Sequence, residues 1–210
     1  MLPKPHPEGL VYHNLVNAAV YIFSSRVLDY IEPGVASDFG KDVLPRLLVA
    51  GQTIKAYHTA EYIKDMGTKD RLPKICADVE SGKVSRLNRK NKRPAVFLDR
   101  DGVINVDMDK NPRAVDFKLL PGVAEAVSKI NASGYLSIVV TNQPMIAKGF
   151  VSREEVEQTN KTMETRLGEE RAYLDGIYFC PHHPEKGFPG EVPELKIECD
   201  CRKPKIGLFR

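Results

Sequence analysis

The 210-residue sequence lacks any run of eighteen apolar residues, so no membrane-spanning helix is expected. It lacks a strong charge of either sign: 31 Lys and Arg stand against 28 Asp and Glu, a net of +3. Nucleic-acid binding usually asks for a strongly basic face, so that class of partner is set aside. The first ten residues, "MLPKPHPEGL", lack the basic-then-apolar order of a secretory leader, and a cytoplasmic location is expected. No internal repeat or low-complexity tract is visible. Cysteine is scarce. The four are Cys76, Cys180, Cys199 and Cys201. One residue separates the last two, an awkward spacing for a disulfide, and in a reducing compartment such a cluster reads better as a metal site. Cys76 stands alone and is expected to be a small buried or half-buried residue.

What is present is ordinary for a globular protein: 42% hydrophobic and 28% charged residues, on a chain long enough for one large domain or two small ones. Residues 81–94, "SGKVSRLNRKNKRP", hold six Lys or Arg and almost nothing apolar. They read as a basic linker and mark a boundary. Residues 1–80 carry mixed α/β signals. "AAVYIF" (18–23) and "TIKAYHT" (53–59) read as strands, and "SSRVLDYI" (24–31) as a short helix. "DFGKDVLPRLLVAG" (38–51) spaces Val43, Leu44, Leu47 and Leu48 as on a helix, with Pro45 in its first turn and Gly51 as its stop.

Residues 95–210 alternate strand and helix patterns. "AVFLD", "LSIVVT" (136–141) and "LDGIYFC" (174–180) read as buried strands. "PGVAEAVSKINASG" (121–134) reads as a helix opened by Pro121 and Gly122 and ended by Gly134. "SREEVEQTNKTMETRLGEE" (152–170) reads as a mostly exposed helix, with Ser152 and Glu155 as a capping box and Val151 and Val156 as a hydrophobic staple. This alternation predicts an α/β fold, a doubly wound parallel sheet with helices on both faces.

Two carboxylates in "AVFLDRDGVIN" raise the functional question. Asp99 and Asp101 follow the apolar run of the first strand, where a lone charge is costly. Asp is common in turns. Here, however, the second strand also ends in polar groups, Thr141 and Asn142, and ligands of such sheets bind beyond the carboxyl ends of the strands. A carboxylate there can act as a nucleophile on a phosphate monoester. A divalent cation, best Mg²⁺, must offset the repulsion between the two anions. The second carboxylate can protonate the leaving alcohol and then activate water.

These residues carry a resemblance. "FLDRDGVIN", "VVTNQ" and "CRKP" are similar, in order, to the first three motifs of the haloacid dehalogenase (HAD) superfamily of phosphatases. Within it, residues 93–210 resemble the D-glycero-D-manno-heptose 1,7-bisphosphate phosphatases. The resemblance implies Asp99 as nucleophile and Mg²⁺ ligand. It implies Asp101 as general acid and base, with its carbonyl on the metal. Thr141 and Lys203 would hold the phosphoryl group, Arg202 would contact the sugar phosphate, and Arg100 and Asn142 join the substrate-binding set. "TNQPMIAKG" departs from the family's usual TNQSGIARG-like stretch: Pro144 removes a backbone donor and Met145 adds bulk.

"CPHH" and "CDC" supply Cys180, His182, Cys199 and Cys201, three thiolates and an imidazole that suit a structural Zn²⁺ site. The resemblance favours His182 over His183 as the ligand. The 16 residues between His182 and Cys199 are rich in Pro, Gly and charge, so a metal clip is a sensible anchor. That length favours the heptose branch over the closely related histidinol-phosphate phosphatases, whose loop is shorter.

The resemblance also implies a fourth, acidic motif, and no acidic residue follows Asp200. At the other end, "VNAAVYIFSSRVLDYI", "SDFGKDVLPRLL" and "YIKDMGTKDRL" resemble the C-terminal third of a sugar-phosphate nucleotidyltransferase, which implies Asp65 as a Mg²⁺ ligand. The expectation that joins both is a piece of a longer bifunctional protein acting on a small-molecule sugar phosphate. A competing expectation is a non-catalytic chain, truncated or serving as a scaffold, that retains the zinc-clipped fold.

Overall fold

The computed structural model describes residues 9–108 and 114–210. Residues 1–8, most of the stretch read for a leader, lie outside them. The chain forms two compact units. Among the described residues, one runs from Leu15 to Asn91 and includes Gly9 and Leu10; the other joins Val11–Asn14 to the residues from Lys92 to Arg210.

Among its described residues, the first unit contains no strand. The stretches 18–23 and 53–59, expected as strands, find no partner. An isolated extended segment cannot satisfy its backbone by pairing and is not stable alone; Ile22 is fully exposed. The expected helix at 24–31 is a 3₁₀ turn over Ser25–Tyr30, capped by the Ser24 hydroxyl. The helix expected at 38–51 is present. A π turn over Phe39–Val43, capped by Asp38, runs into α1 (Leu44–Val49) with Pro45 in the first turn. Val43 and Leu47 are buried, whereas Leu48 faces outward. Helix α2 spans Leu72–Glu80; it buries Ile75 and turns Cys76, expected buried or half-buried, out to the surface.

The basic run is more than a linker. Gly82, with φ of +71°, turns the chain into a short helix, α3 (Lys83–Arg86). There the Lys83 ammonium lies 3.2 Å from Asp78, whose carboxylate also accepts the Tyr62 hydroxyl at 2.8 Å. That hydroxyl is the first cause, with Lys83 and Lys64 following, of a carboxyl held below its usual range.

The second unit is built on three parallel strands, β1 (Ala95–Leu98), β2 (Leu136–Asn142) and β3 (Gly176–Cys180), in the order β1-β2-β3. Leu98 pairs with Val139 and Val139 with Ile177. Helix α4 (Val123–Ser133) connects the first two strands. Gly122 and Gly134, with φ of +79° and +83°, flank it; both backbones occupy the left-handed region that glycine enters without strain. A short helix, α5 (Pro144–Ala147), follows β2. Then α6 (Arg153–Glu169) starts at the expected capping box, with both Ser152–Glu155 hydrogen bonds formed. Val151 and Val156 are both buried in one cluster with Ile146.

Two features differ from expectation. Val127 of α4 and Met163 and Leu167 of α6 share a single buried cluster with Val139 of β2, so both helices cover the same face of the sheet. Right-handed crossovers between strands laid down in the order 1-2-3 require this. The opposite face meets a 3₁₀ turn at Gly207–Phe209, with Phe97 edge-on to Phe209 at 4.9 Å. Helix α6 is also far from mostly exposed: Thr159, Asn160, Thr162 and Thr165 are buried beside its apolar residues. The three threonine hydroxyls donate to carbonyls one turn back, at 2.8–3.0 Å, which meets their hydrogen-bonding need away from water. Thr165 also holds the Tyr12 backbone.

Candidate active site and cysteine cluster

The strands all point their carboxyl ends to one edge, and the polar residues of interest collect there. After β1 the chain turns back on itself: Ile104 and Asn105 donate to the Arg100 carbonyl, and Gly102, with φ of +76°, donates to the Asn105 carbonyl. This turn leaves Asp99 and Asp101 at the rim. The Asp99 carboxylate accepts from the Arg100 amide at 2.8 Å. Its other oxygen lies 2.6 Å from the Lys203 ammonium, which comes from more than a hundred residues along the chain.

Asp101 is held by four donors. Arg100 Nε and Nη2 approach at 3.3 and 3.0 Å, Asn105 Nδ2 at 3.0 Å and Gln143 Nε2 at 2.8 Å. Burial works to raise this carboxyl, but the Arg100 charge and the hydrogen bonds outweigh it and hold it below the usual carboxylate range. Gln143 also donates to the Thr141 hydroxyl at 3.1 Å, tying the end of β2 to the same network. Beside Asp101 lies a cavity of about 190 Å³ whose lining includes Asp107, Met108, Asn142, Pro144 and Met145. Pro144 opens α5, where a missing N–H leaves no bond unmade. Met145 supplies part of the cavity's apolar wall.

Arg100, expected to bind substrate, turns its side chain inward. It is 1% exposed, and its guanidinium is turned to Asp101 and, at 3.2 Å, to Asn160 of α6. Its partners make this guanidinium a support for Asp101. Asn142 turns to the backbone of Lys203, at 2.9 and 3.2 Å. The Arg202 guanidinium reaches the His182 carbonyl at 3.5 Å. Asp65, in the first unit, is ion-paired with Arg71 and accepts the Gly67 amide. No cluster of three or more metal-ligating groups includes it among the described residues. Asn105, Gln143 and Asn160 were not singled out from sequence. The first two sit inside the quoted motifs, whereas Asn160 lies 60 residues away and carries no local signal.

The four zinc-candidate residues converge. The ligand atoms of Cys180, His182, Cys199 and Cys201 lie within 4.8 Å of one another. The sulfurs are 3.2–3.5 Å apart, too far for a disulfide bond of ~2.05 Å. Tetrahedral coordination with metal–sulfur bonds of ~2.3 Å asks for roughly 3.8 Å between sulfurs, close to this spacing. Burial, and then the neighbouring thiols, push Cys201 up to about 12. Burial also raises Cys180, whereas at Cys199 hydrogen bonds from Cys201 and Cys180 outweigh burial and lower the thiol. Three thiols so close cannot all ionise unless a cation lies among them, so the donor set fits a soft divalent metal. His183 stays outside, facing Glu185 at 3.9 Å.

The loop between these ligands docks on the turn after α5. Gly149 crosses Gly190 so closely that a Cβ on Gly149 would lie 1.9 Å from the Gly190 carbonyl oxygen. Val192 donates to the Ala147 carbonyl at 3.1 Å. The ammonium groups of Lys148 and Lys196 lie 4.5 and 4.8 Å from the centre of the Phe188 ring. The buried Lys196 is 3.5 Å from Glu191, an ion pair without hydrogen-bond geometry.

No family model matches the chain. Several bacterial proteins named D-glycero-beta-D-manno-heptose-1,7-bisphosphate 7-phosphatase are similar to it. The Vibrio cholerae protein is 46% identical over 117 residues, 56% of this chain and 61% of that protein. The Haemophilus ducreyi protein is 43% identical over 119 residues, 56% and 63% respectively. The protein of Escherichia coli strain K12 is 42% identical over 116 residues, 55% and 59%. The chain thus spans about three fifths of the length of these curated relatives. Among solved structures, a putative HAD-like phosphatase from Mesorhizobium loti superposes with a TM-score of 0.51 at 34% identity, over 56% of this chain and 54% of that one. In sequence and in its three-stranded parallel sheet, the chain is similar to HAD-like phosphatases.

Proposed function

We propose that the second unit is the catalytic core of a phosphomonoester hydrolase that forms an aspartyl-phosphate on Asp99. The observation that carries this reading is the meeting of Lys203 with Asp99 at 2.6 Å, with Asp101 two residues on, at the carboxyl edge of a parallel sheet. The names of the relatives point to the 7-phosphate of D-glycero-D-manno-heptose 1,7-bisphosphate as the group removed.

Asp99 attacks phosphorus, the bond from phosphorus to the sugar oxygen breaks, and Asp101 gives that oxygen a proton. Asp101, now a carboxylate, takes a proton from water. The water oxygen attacks phosphorus, and the bond to Asp99 breaks to free phosphate. Lys203 balances the Asp99 charge before attack and the phosphoryl oxygens after it. The donors around Asp101 favour its ionised form and so the second half of this cycle. Asp99 and the Asp101 carbonyl are hard oxygen donors of the kind Mg²⁺ prefers; when bound, Mg²⁺ offsets the repulsion between carboxylate and phosphate. Cys180, His182, Cys199 and Cys201 would hold Zn²⁺ in a structural role, with no position left for water. For the first unit, a nucleotidyltransferase remnant rests on resemblance alone.

Phosphate release in the presence of Mg²⁺ tests this reading, comparing heptose 1,7-bisphosphate with histidinol phosphate. Release from the heptose substrate that vanishes in Asp99→Asn is the expected result. Preference for histidinol phosphate would move the chain to that branch. No release from folded, zinc-loaded protein would favour a non-catalytic chain.

A further inference from the structure

We infer that Asn142 is a positioning residue: its side-chain amide clasps the backbone of Lys203 and thereby sets where the Lys203 ammonium meets Asp99. Two hydrogen bonds define the clasp. The Lys203 amide donates to Asn142 Oδ1 at 2.9 Å, and Asn142 Nδ2 donates to the Lys203 carbonyl at 3.2 Å. The amide's donor and acceptor both go to one residue, 61 positions along the chain. Two bonds to one peptide backbone restrict its rotation as well as its position, which a single bond does not.

The clasp is rigid at one end only. Asn142 is the last residue of β2 and pairs with Cys180 of β3, and the next residue, Gln143, donates to the Cys180 carbonyl at 2.8 Å. Lys203 lies in neither helix nor strand. Its ion pair with Asp99 is partly open to water, with side-chain exposures of 24% and 44%. Such pairs do little to fix a long, flexible side chain. The backbone must therefore supply the placement, and the strand end supplies it through Asn142. The side chains that carry a donor and an acceptor on one planar carbon are the amides of Asn and Gln, and Gln is a methylene longer. Asp would set a carboxylate oxygen against the Lys203 carbonyl.

This role differs from the direct substrate contact expected for Asn142, and its catalytic consequence rests on the phosphatase reading. The test has two arms. In the first, hydrogen exchange at the Lys203 amide is followed by NMR, with Val140 in β2 as the internal reference. Asn142→Ala should speed exchange at Lys203 at least tenfold relative to Val140, while Asn142→Asp, which keeps the acceptor, should speed it less. Unchanged relative exchange at Lys203 in Asn142→Ala overturns the clasp.

The second arm is a double-mutant cycle on phosphate release. Asn142→Ala should lower turnover at least tenfold in the natural background and less than twofold in Lys203→Ala, because its effect runs through the lysine. Losses that multiply would mean that Asn142 acts on substrate by itself, and would overturn the proposal. A natural chain that releases no phosphate overturns the phosphatase reading, while amide exchange still decides the clasp.

Discussion

The two units show how differently similar apolar patterns end up. In the second unit, the runs at 95–98, 136–142 and 176–180 pair with one another, and Val139 and Val140 lie buried at their centre. In the first, the run at 18–23 is equally apolar and the run at 53–59 alternates as a strand does, yet neither forms a ladder, and the buried hydrophobic side chains among its described residues are Val43, Leu47 and Ile75. A strand pattern states a preference for a half-buried surface, and only a neighbouring strand and a covering helix realise it. The second unit therefore has a fold that can hold a site; the first has local turns, caps and ion pairs.

Perturbations should sharpen that contrast. The largest effect is expected from metal removal. A chelator, or Cys199→Ser, should free the loop between His182 and Cys199, exposing the buried Lys196 to trypsin while cleavage in the first unit is unchanged. Equal cleavage with and without chelator would count against a structural metal. Next, Met163→Ala, at a side chain with no exposed surface, should cost about 2–5 kcal/mol in denaturant unfolding. Gly149→Ala should cost about 1–3 kcal/mol, because a Cβ there meets the Gly190 backbone, which cannot yield as a side chain would. Ser152→Ala should cost about 1 kcal/mol through loss of the α6 cap. Ile22→Ala, in the first unit, should stay within about 0.5 kcal/mol, since the side chain is fully exposed. A cost there as large as that of Met163→Ala would mean that the first unit has a core of its own.

What could be read in the sequence follows the same division. The capping box at Ser152, the glycines flanking α4 and the Cys/His set are local chemistry; the structure forms the first two as read and brings the four Cys and His side chains together. Asp99 and Asp101 were legible because charge at the end of an apolar run is costly without a purpose. Arg100 was not. It stands between the two aspartates in sequence, yet Asn160, on a helix read as exposed, helps turn it inward. The burial of α6 was hidden because threonine counts as polar until its hydroxyl is seen bonding to its own helix. The one-sided covering of the sheet depends on strand order, which no local pattern reveals.

The central claim is that Asp99 takes the phosphoryl group. The direct measurement is mass spectrometry of protein quenched during turnover of heptose 1,7-bisphosphate with Mg²⁺, mapping a hydroxylamine-labile phosphoryl group. The account predicts that group on Asp99, with none in Asp99→Asn. Phosphate release that proceeds in Asp99→Asn, or a label carried on another residue, would contradict it.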